Sequence, residues 1–313
     1  MAKAQLPPAK STTHVHLLSA INTELGRAPS DRLRLLDVGC GAGDLLTYLL
    51  RSLVIIQPSV ELECFGFDVS DSGMLAGDLV DVAIAQLAEV DPVVDWRERI
   101  SIIRSTDPWP YPDEHFDVVV SNQVVEHVDD HELFFSELRR TLKEGGFSVH
   151  LFPLQHCLWE WHIKVPLYHR VRNHDMRTAY IKRMVQFGLK KPMLLHPDES
   201  IDDYAGREAD MMRDFTNYLS QREVYRIGKR VKLRTSFRYT QEYYAQKVRS
   251  LAGRPPRLTY RRSRSALRDF IAVLLLRYVA AVTLVIEKRR GVPDEVARAT
   301  FEAGRDAHPD GGN

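Results

Sequence analysis

Two groups of residues have types and spacings suited to chemistry. In the first, Asp37, Gly39, Gly41 and Gly43 alternate at the end of an apolar run. Glycines so spaced let the backbone pass close to a bound molecule, and an acid at a strand end accepts hydrogen bonds from a cationic or hydroxylated ligand. A pyrophosphate is disfavoured there, because its fingerprint runs G-x-G-x-x-G and a neighbouring carboxylate repels phosphate. Asp68, closing the next apolar stretch, is placed to accept both hydroxyls of a ribose. The second group is His156, Glu160, His162 and His169, interleaved with Trp159 and Trp161. Histidine titrates near neutrality and can act as a base, while the tryptophans offer an apolar or sugar-stacking wall. The plainer alternative for any one of these histidines is a structural hydrogen bond to a backbone carbonyl.

Hydrophobic periodicity gives the elements that must position these groups. Strands are expected at residues 35–38, 61–70, 99–103, 116–122 and 147–152, with helices at 44–53, 74–90 and 131–143 between them. Such alternation implies a parallel sheet with crossovers. A helix over 15–25 is expected to cover the ligand. Farther on, Ser220 and Glu223 form a capping box, 230–239 and 280–287 read as strands, and 241–251 and 266–276 as helices. The apolar stretch 270–286 is short and interrupted by Arg277, which argues against a bilayer span. A final helix is expected after residue 290.

The 313 residues, 44% of them hydrophobic, support a full core. Three cysteines without a C-x-x-C pair exclude a disulfide framework and a zinc finger, so a reducing compartment fits. The first ten residues lack the apolar core of a signal peptide, and the expected location is cytoplasmic. A net charge of +1 hides an asymmetry: residues 1–153 carry 12 Lys and Arg against 24 Asp and Glu, and residues 154–313 carry 31 against 18. Between 222 and 268 fifteen basic residues face only Glu223 and Glu242, a density expected to meet an anionic acceptor or to give peripheral contact with a membrane surface.

The run D-V-G-C-G-A-G at 37–43 resembles motif I of the class I S-adenosylmethionine (SAM) methyltransferases. The block W-P-Y-P-D at 109–113 with F-D at 116–117 resembles a segment of the ubiquinone/menaquinone type, methyltransferase type 11. The resemblance covers residues 33–153. It implies an α/β fold: a Rossmann-like, doubly wound, mostly parallel seven-stranded sheet whose last strand is antiparallel. It also implies SAM held by Asp37, Gly39, Gly41, Gly43, Asp68 and Asn122. The acid expected at the adenine amino group falls on Ser105, which leaves that role to Thr106, Asp107 or the backbone. Domains then read as a lead-in (1–30), a SAM-binding core (31–153), a substrate cap inserted after the fifth strand (154–215), the rest of the sheet with its basic insertion (216–290) and a tail (291–313).

The E-x-H…P…H pattern of the cap resembles bacterial methyltransferases that act on sugars or glycolipids, implying O-methylation of a sugar, glycolipid or other anionic small molecule. Transfer from a sulfonium is an in-line displacement, so the protein positions the acceptor and removes a proton. His162 is the expected base, oriented by Glu160 or His156, with no metal. Glu126-His127 also resembles the metal-binding E-x-x-E-H of Hen-type small-RNA 2′-O-methyltransferases and of some quinone-biosynthesis enzymes, with Gln123 in place of the first glutamate. The alternative is therefore a divalent ion on Glu126, His127, His156 and His162. Two rival functions stand beside this reading. One is a metal-dependent RNA 2′-O-methyltransferase, although no RNA-binding module is evident and nucleic acid is the less favoured partner. The other is a SAM-binding regulatory subunit, which retention of Asp37, Asp68 and the glycines disfavours.

Overall fold

A computed structural model describes residues 6–27, 30–71, 76–171, 173–193, 198–261, 265–289 and 291; the helix expected after residue 290 lies outside them. The core runs α1 (Thr12–Leu25), β1 (Arg32–Val38), α2 (Asp44–Ile56), β2 (Glu61–Val69), α3 (Ala76–Val90), β3 (Ile100–Ile103), β4 (Phe116–Asn122), α4 (His131–Thr141) and β5 (Leu142–Pro153). A hairpin of β6 (Trp159–Glu160) and β7 (Val165–Pro166) follows, then α5 (His174–Gln186) and α6 (Ile201–Asp214). The chain returns to the sheet through α7 (Gln221–Arg230), β8 (Leu233–Ser236), α8 (Thr240–Leu251), α9 (Ala266–Leu276) and β9 (Ala281–Lys288).

Seven strands pair in the order β3-β2-β1-β4-β5-β9-β8, with β1 to β5 parallel and β9 antiparallel to both neighbours. Central strands of such a sheet are apolar on both faces, and Val118, Val119 and Val120 of β4 are fully buried. One face is covered by α1, α2, α3 and α8, through Leu17, Leu49, Leu87 and Tyr243 among others. The other is covered by α4, α7 and α9, through Phe135, Ile227 and Val273. Here α1 departs from expectation. Leu17, Leu18 and Ile21 are spent on the sheet face beside α2, and no residue of α1 reaches the ligand cavity described below.

The other departures are at element ends. β8 is shorter than the alternating run suggests, because α7 continues to Arg230 and Tyr239 turns left-handed (φ 71°) to start α8. β5 starts at Leu142, so Gly145-Gly146 lie inside a strand instead of ending a helix. The capping box forms as read: Ser220 Oγ accepts the Glu223 N–H, and Glu223 accepts the Ser220 N–H.

The insertion between β5 and α7 has its own small core of Ile163, Val165, Tyr168, Ile181, Tyr204 and Met212. Within it the buried Lys190 ammonium lies 3.0 Å from Glu208 Oε2 and also donates to the Ile163 carbonyl, while Tyr204 donates to the same carboxylate at 3.1 Å. Its two ends leave the sheet together, the Gln155 N–H donating to the Leu219 carbonyl at 3.1 Å. Asn217 ties the returning end to the turn after β4, its N–H donating to the Glu126 carbonyl at 2.7 Å and its side chain to those of Val128 and Asp129. No described helix is long and apolar enough to cross a membrane.

Candidate active site

A cavity of about 300 Å³ opens at the carboxyl ends of β1, β2 and β4, where parallel α/β sheets hold their ligands. The glycine loop forms its floor. Gly39 and Cys40 donate their N–H groups to the Phe67 carbonyl at 2.9 and 3.1 Å, and Gly41 donates to Asp68 Oδ2 at 2.7 Å. Gly39 sits at φ 66°, and a Cβ there would lie 2.5 Å from Val124 Cγ2, so the loop after β4 is packed against bare backbone. Gly39, Gly41, Asp68, Asp107 and Asn122 line the cavity.

Three other expected ligands stand elsewhere. Asp37 lies behind the wall, 1% exposed, and burial reinforced by the Asp68 charge raises its carboxyl well above the usual range. Gly43 (φ 78°) serves the contact of α2 with α3, since a Cβ on it would meet Ala83 at 2.9 Å. Thr106 is exposed and outside the cavity lining. Ser105 is turned to Asp71, donating its N–H and hydroxyl at 2.8 and 3.0 Å, and of the neighbours Thr106 and Asp107 only Asp107 lines the cavity.

The W-P-Y-P-D block works as a buttress. Trp109 is buried in the cavity wall against Phe67 and Phe134, and its N–H donates to Glu137 at 2.7 Å; Tyr111 donates to the Gly66 carbonyl at 2.9 Å. SAM fits this pocket by the chemistry of its donor set. Asp68 can accept ribose hydroxyls, and Asn122 Oδ1, in the cavity lining, is a buried acceptor with no hydrogen-bond partner among the described residues.

The turn after β4, Val125–His127, brings the second group to this cavity. His127 is in the cavity wall, and its Nδ1 lies 2.6 Å from the Phe215 carbonyl. His162, at the tip of the β6–β7 hairpin, has Nδ1 2.7 Å from Glu160 Oε1. A carbonyl and a carboxylate can only accept, so both Nδ1 atoms donate, and in the neutral rings both Nε2 atoms present lone pairs. Those two Nε2 atoms face each other at 3.2 Å.

Glu160 is 1% exposed and fully engaged. Its Oε1 also accepts the His162 N–H at 2.9 Å, while Oε2 accepts Tyr218 at 2.9 Å and lies 2.8 Å from His169 Nε2. Burial opposes its ionisation, but the partnerships with His162 and His169 prevail and hold it at about 2. Glu126 is the opposite case. It is completely buried, neither carboxylate oxygen has a partner among the described residues, and burial pushes it up to about 8. Glu126, His127 and His162 offer ligand atoms within 4.8 Å of one another.

His156 does not join them. The turn Leu154 to Cys157, closed by the Cys157 N–H on the Leu154 carbonyl, points its ring at Tyr278, where the two stack at 6.2 Å. His169, one of the histidines the sequence pointed to, and Tyr218 complete the cluster; Tyr218 is missing from the sequence reading, because it is 58 positions from the glutamate it holds and no local pattern marks it. Gln123, held left-handed at φ 58°, lines both the first cavity and a second of about 190 Å³ framed by Trp159, Trp161, His162, His169 and Tyr218.

Residues 12–196 match a family model described as a methyltransferase domain. The chain is 38% identical over 118 residues to the ubiquinone biosynthesis O-methyltransferase of Paramagnetospirillum magneticum (38% of this chain, 39% of that protein). It is 30% identical over 120 residues to the enzyme of the same name from Mesorhizobium japonicum (38% and 40%). The chain thus spans about two fifths of the length of the curated relatives it matches. Among solved structures it is similar to the YcgJ protein of Bacillus subtilis, at 14% identity and a TM-score of 0.44, covering 90% of this chain and 100% of that one.

Proposed function

Because the chain belongs to the class I SAM-dependent methyltransferases, we propose that it methylates a hydroxyl oxygen held beneath its cap. SAM, when bound, supplies an electrophilic methyl group. Asp68 and Asp107 would hold its nucleoside, and Asn122 its charged end. The observation that carries the reading is the His127–His162 pair. It stands where the first cavity meets the tryptophan-framed one, so an acceptor oxygen entering past Trp159 and Trp161 would meet an imidazole lone pair. Glu160 fixes the His162 tautomer and stabilises the imidazolium formed when Nε2 takes the proton. The relatives' name supports oxygen as the accepting atom. The acceptor itself is argued from the cap: two exposed indoles 6.2 Å apart suit a sugar or another flat ring. The test is mass spectrometry of products after incubation with SAM and separate glycan, lipid and RNA fractions.

A second reading of the same cluster is favoured by Glu126. A buried carboxyl with no partner, beside two converging ring nitrogens, is an unsatisfied polar group that a bound cation would pair. Two nitrogens at about 2.0–2.1 Å from a tetrahedral zinc lie about 3.4 Å apart, close to the separation found here. The Phe215 carbonyl and Glu160 would be the outer supports that aim the two imidazoles. A divalent ion on Glu126, His127 and His162 would lower the pKa of an acceptor hydroxyl. Turnover before and after chelation separates the two readings.

A further inference from the structure

Helix α9 is built inside out. Leu267, Phe270, Ile271 and Leu275 recur at helical spacing and are 68%, 47%, 49% and 68% exposed, while only Val273 is fully buried. Single exposed leucines are ordinary, but a whole apolar helical stripe facing water is not. α8 braces it from behind and adds exposed Val248 and Leu251: Arg268 Nε donates to Gln241 Oε1 at 3.2 Å, and Tyr244 donates to the Leu276 carbonyl at 3.3 Å. The connection between the two helices carries exposed Arg254, Arg257 and Arg261, and Arg268 follows on α9 itself.

The stripe also leads toward the cap. Past its end Val279 is exposed, and the Leu158 N–H donates to the Tyr278 carbonyl at 2.9 Å. There Leu158, Trp159, Trp161 and Leu167 are exposed in turn, two of them framing the acceptor cavity. With eleven residues α9 is about 16 Å long, half the thickness of a bilayer core, so it can lie in an interface but not span one.

We propose that α9 and the arginines leading into it dock this protein on an anionic lipid bilayer, with the mouth of the cap turned to the membrane face. Apolar side chains enter the boundary of the acyl chains and arginines meet the headgroups, the two attractions that interfacial helices combine. A protein groove would satisfy the leucines alone. Arg254, Arg257, Arg261 and Arg268, in a stretch without an acid from 243 to 268, select a negatively charged surface.

The test is sedimentation of the full chain with vesicles of phosphatidylcholine alone and of phosphatidylcholine mixed with phosphatidylglycerol. Binding is expected only to the mixed vesicles and is expected to fall as salt rises. Leu275→Glu should abolish it, and each of Arg254→Gln, Arg257→Gln and Arg261→Gln should weaken it about fivefold. These residues lie outside the cofactor cavity, so SAM affinity measured by calorimetry should stay unchanged and certify the fold. Equal binding to both vesicle types, no binding, or undiminished binding of Leu275→Glu would overturn the proposal. Self-association that Leu275→Glu abolishes, without vesicle binding, would assign the stripe to a second copy. RNA retention through the same arginines, without vesicle binding, would assign the surface to nucleic acid. No arm requires turnover, so failure here leaves the methyl-transfer reading standing.

Discussion

His127 and His162 are 35 positions apart in the chain, yet their Nε2 atoms meet at 3.2 Å, one ring carried by the core and the other by the cap. The proposed reactive centre is therefore an interface to which core and cap each contribute one ring. His162→Ala should lower turnover on the order of 10²–10⁴-fold with SAM affinity intact. If a cation occupies the cluster, chelation abolishes turnover and Glu126→Gln or His127→Ala is as damaging as the His162 change. Steady-state rates at saturating SAM decide, and full activity of His162→Ala would sink both readings.

Asp68 is doubly used, bracing Gly41 at 2.7 Å and facing the cavity. Asp68→Ala should weaken SAM binding by about 2–3 kcal/mol, the usual cost of losing hydrogen bonds to a charged group. Titration calorimetry checks this. Unchanged affinity in a folded variant removes Asp68 from the cofactor site.

Gly39→Ala forces a methyl group into Val124 and strains a left-handed residue. A loss of about 1–3 kcal/mol is expected, together with loss of SAM binding. Val124→Ala opens space for the methyl, so the double variant should recover part of the stability but not the backbone strain. Denaturant titrations of the four proteins form the cycle, and a Gly39→Ala variant as stable as wild type would refute the contact.

Two buried histidines make the fold acid-labile. His16 bridges Tyr260 and Thr283, and His150 bridges Ser121 and Ser148, all at 2.8 Å; burial lowers both to about 3. Below the ordinary value of 6.5 the unfolded chain takes up protons that the folded one refuses until about pH 3. Stability is then present in full above 6.5 and falls as pH drops through that window, by about 1.4 kcal/mol per unit and site. Urea denaturation of wild type and His16→Gln/His150→Gln at pH 7 and pH 5 tests this. The double variant should lose less on acidification, and an equal loss would rule the histidines out.

The legible parts were those written locally. Apolar runs, the glycine loop and the capping box placed the core strands and helices, the loop after β1 and the start of α7, because each is a short-range pattern with one physical solution. The cap histidines were found as a group, but not which of them converge. His156 and His162 are six positions apart and equally histidine, and only the tertiary turn at Leu154 to Cys157 sends the first toward Tyr278. Asp107 lines the cavity and Thr106 does not, a difference between neighbours that no sequence pattern marks. α1 was misjudged as a cover for the ligand because its apolar residues name a buried face without naming what buries it.

The paired ends of the insertion, joined by Gln155 and Leu219, carry a consequence for how such a protein can change. The sheet meets everything between them as one long loop closed at its base, and lengthening a closed loop costs little. Glu126, His127 and Asp68 stay behind on one side of that joint, while Glu160, His162 and both tryptophans travel on the other. If the cap selects the acceptor as proposed, that preference is portable baggage. A foreign insertion grafted at the same two residues would keep the glycine loop and Asp68, would have to replace the Phe215 and Asn217 contacts that hold the turn after β4, and would bring its own cap.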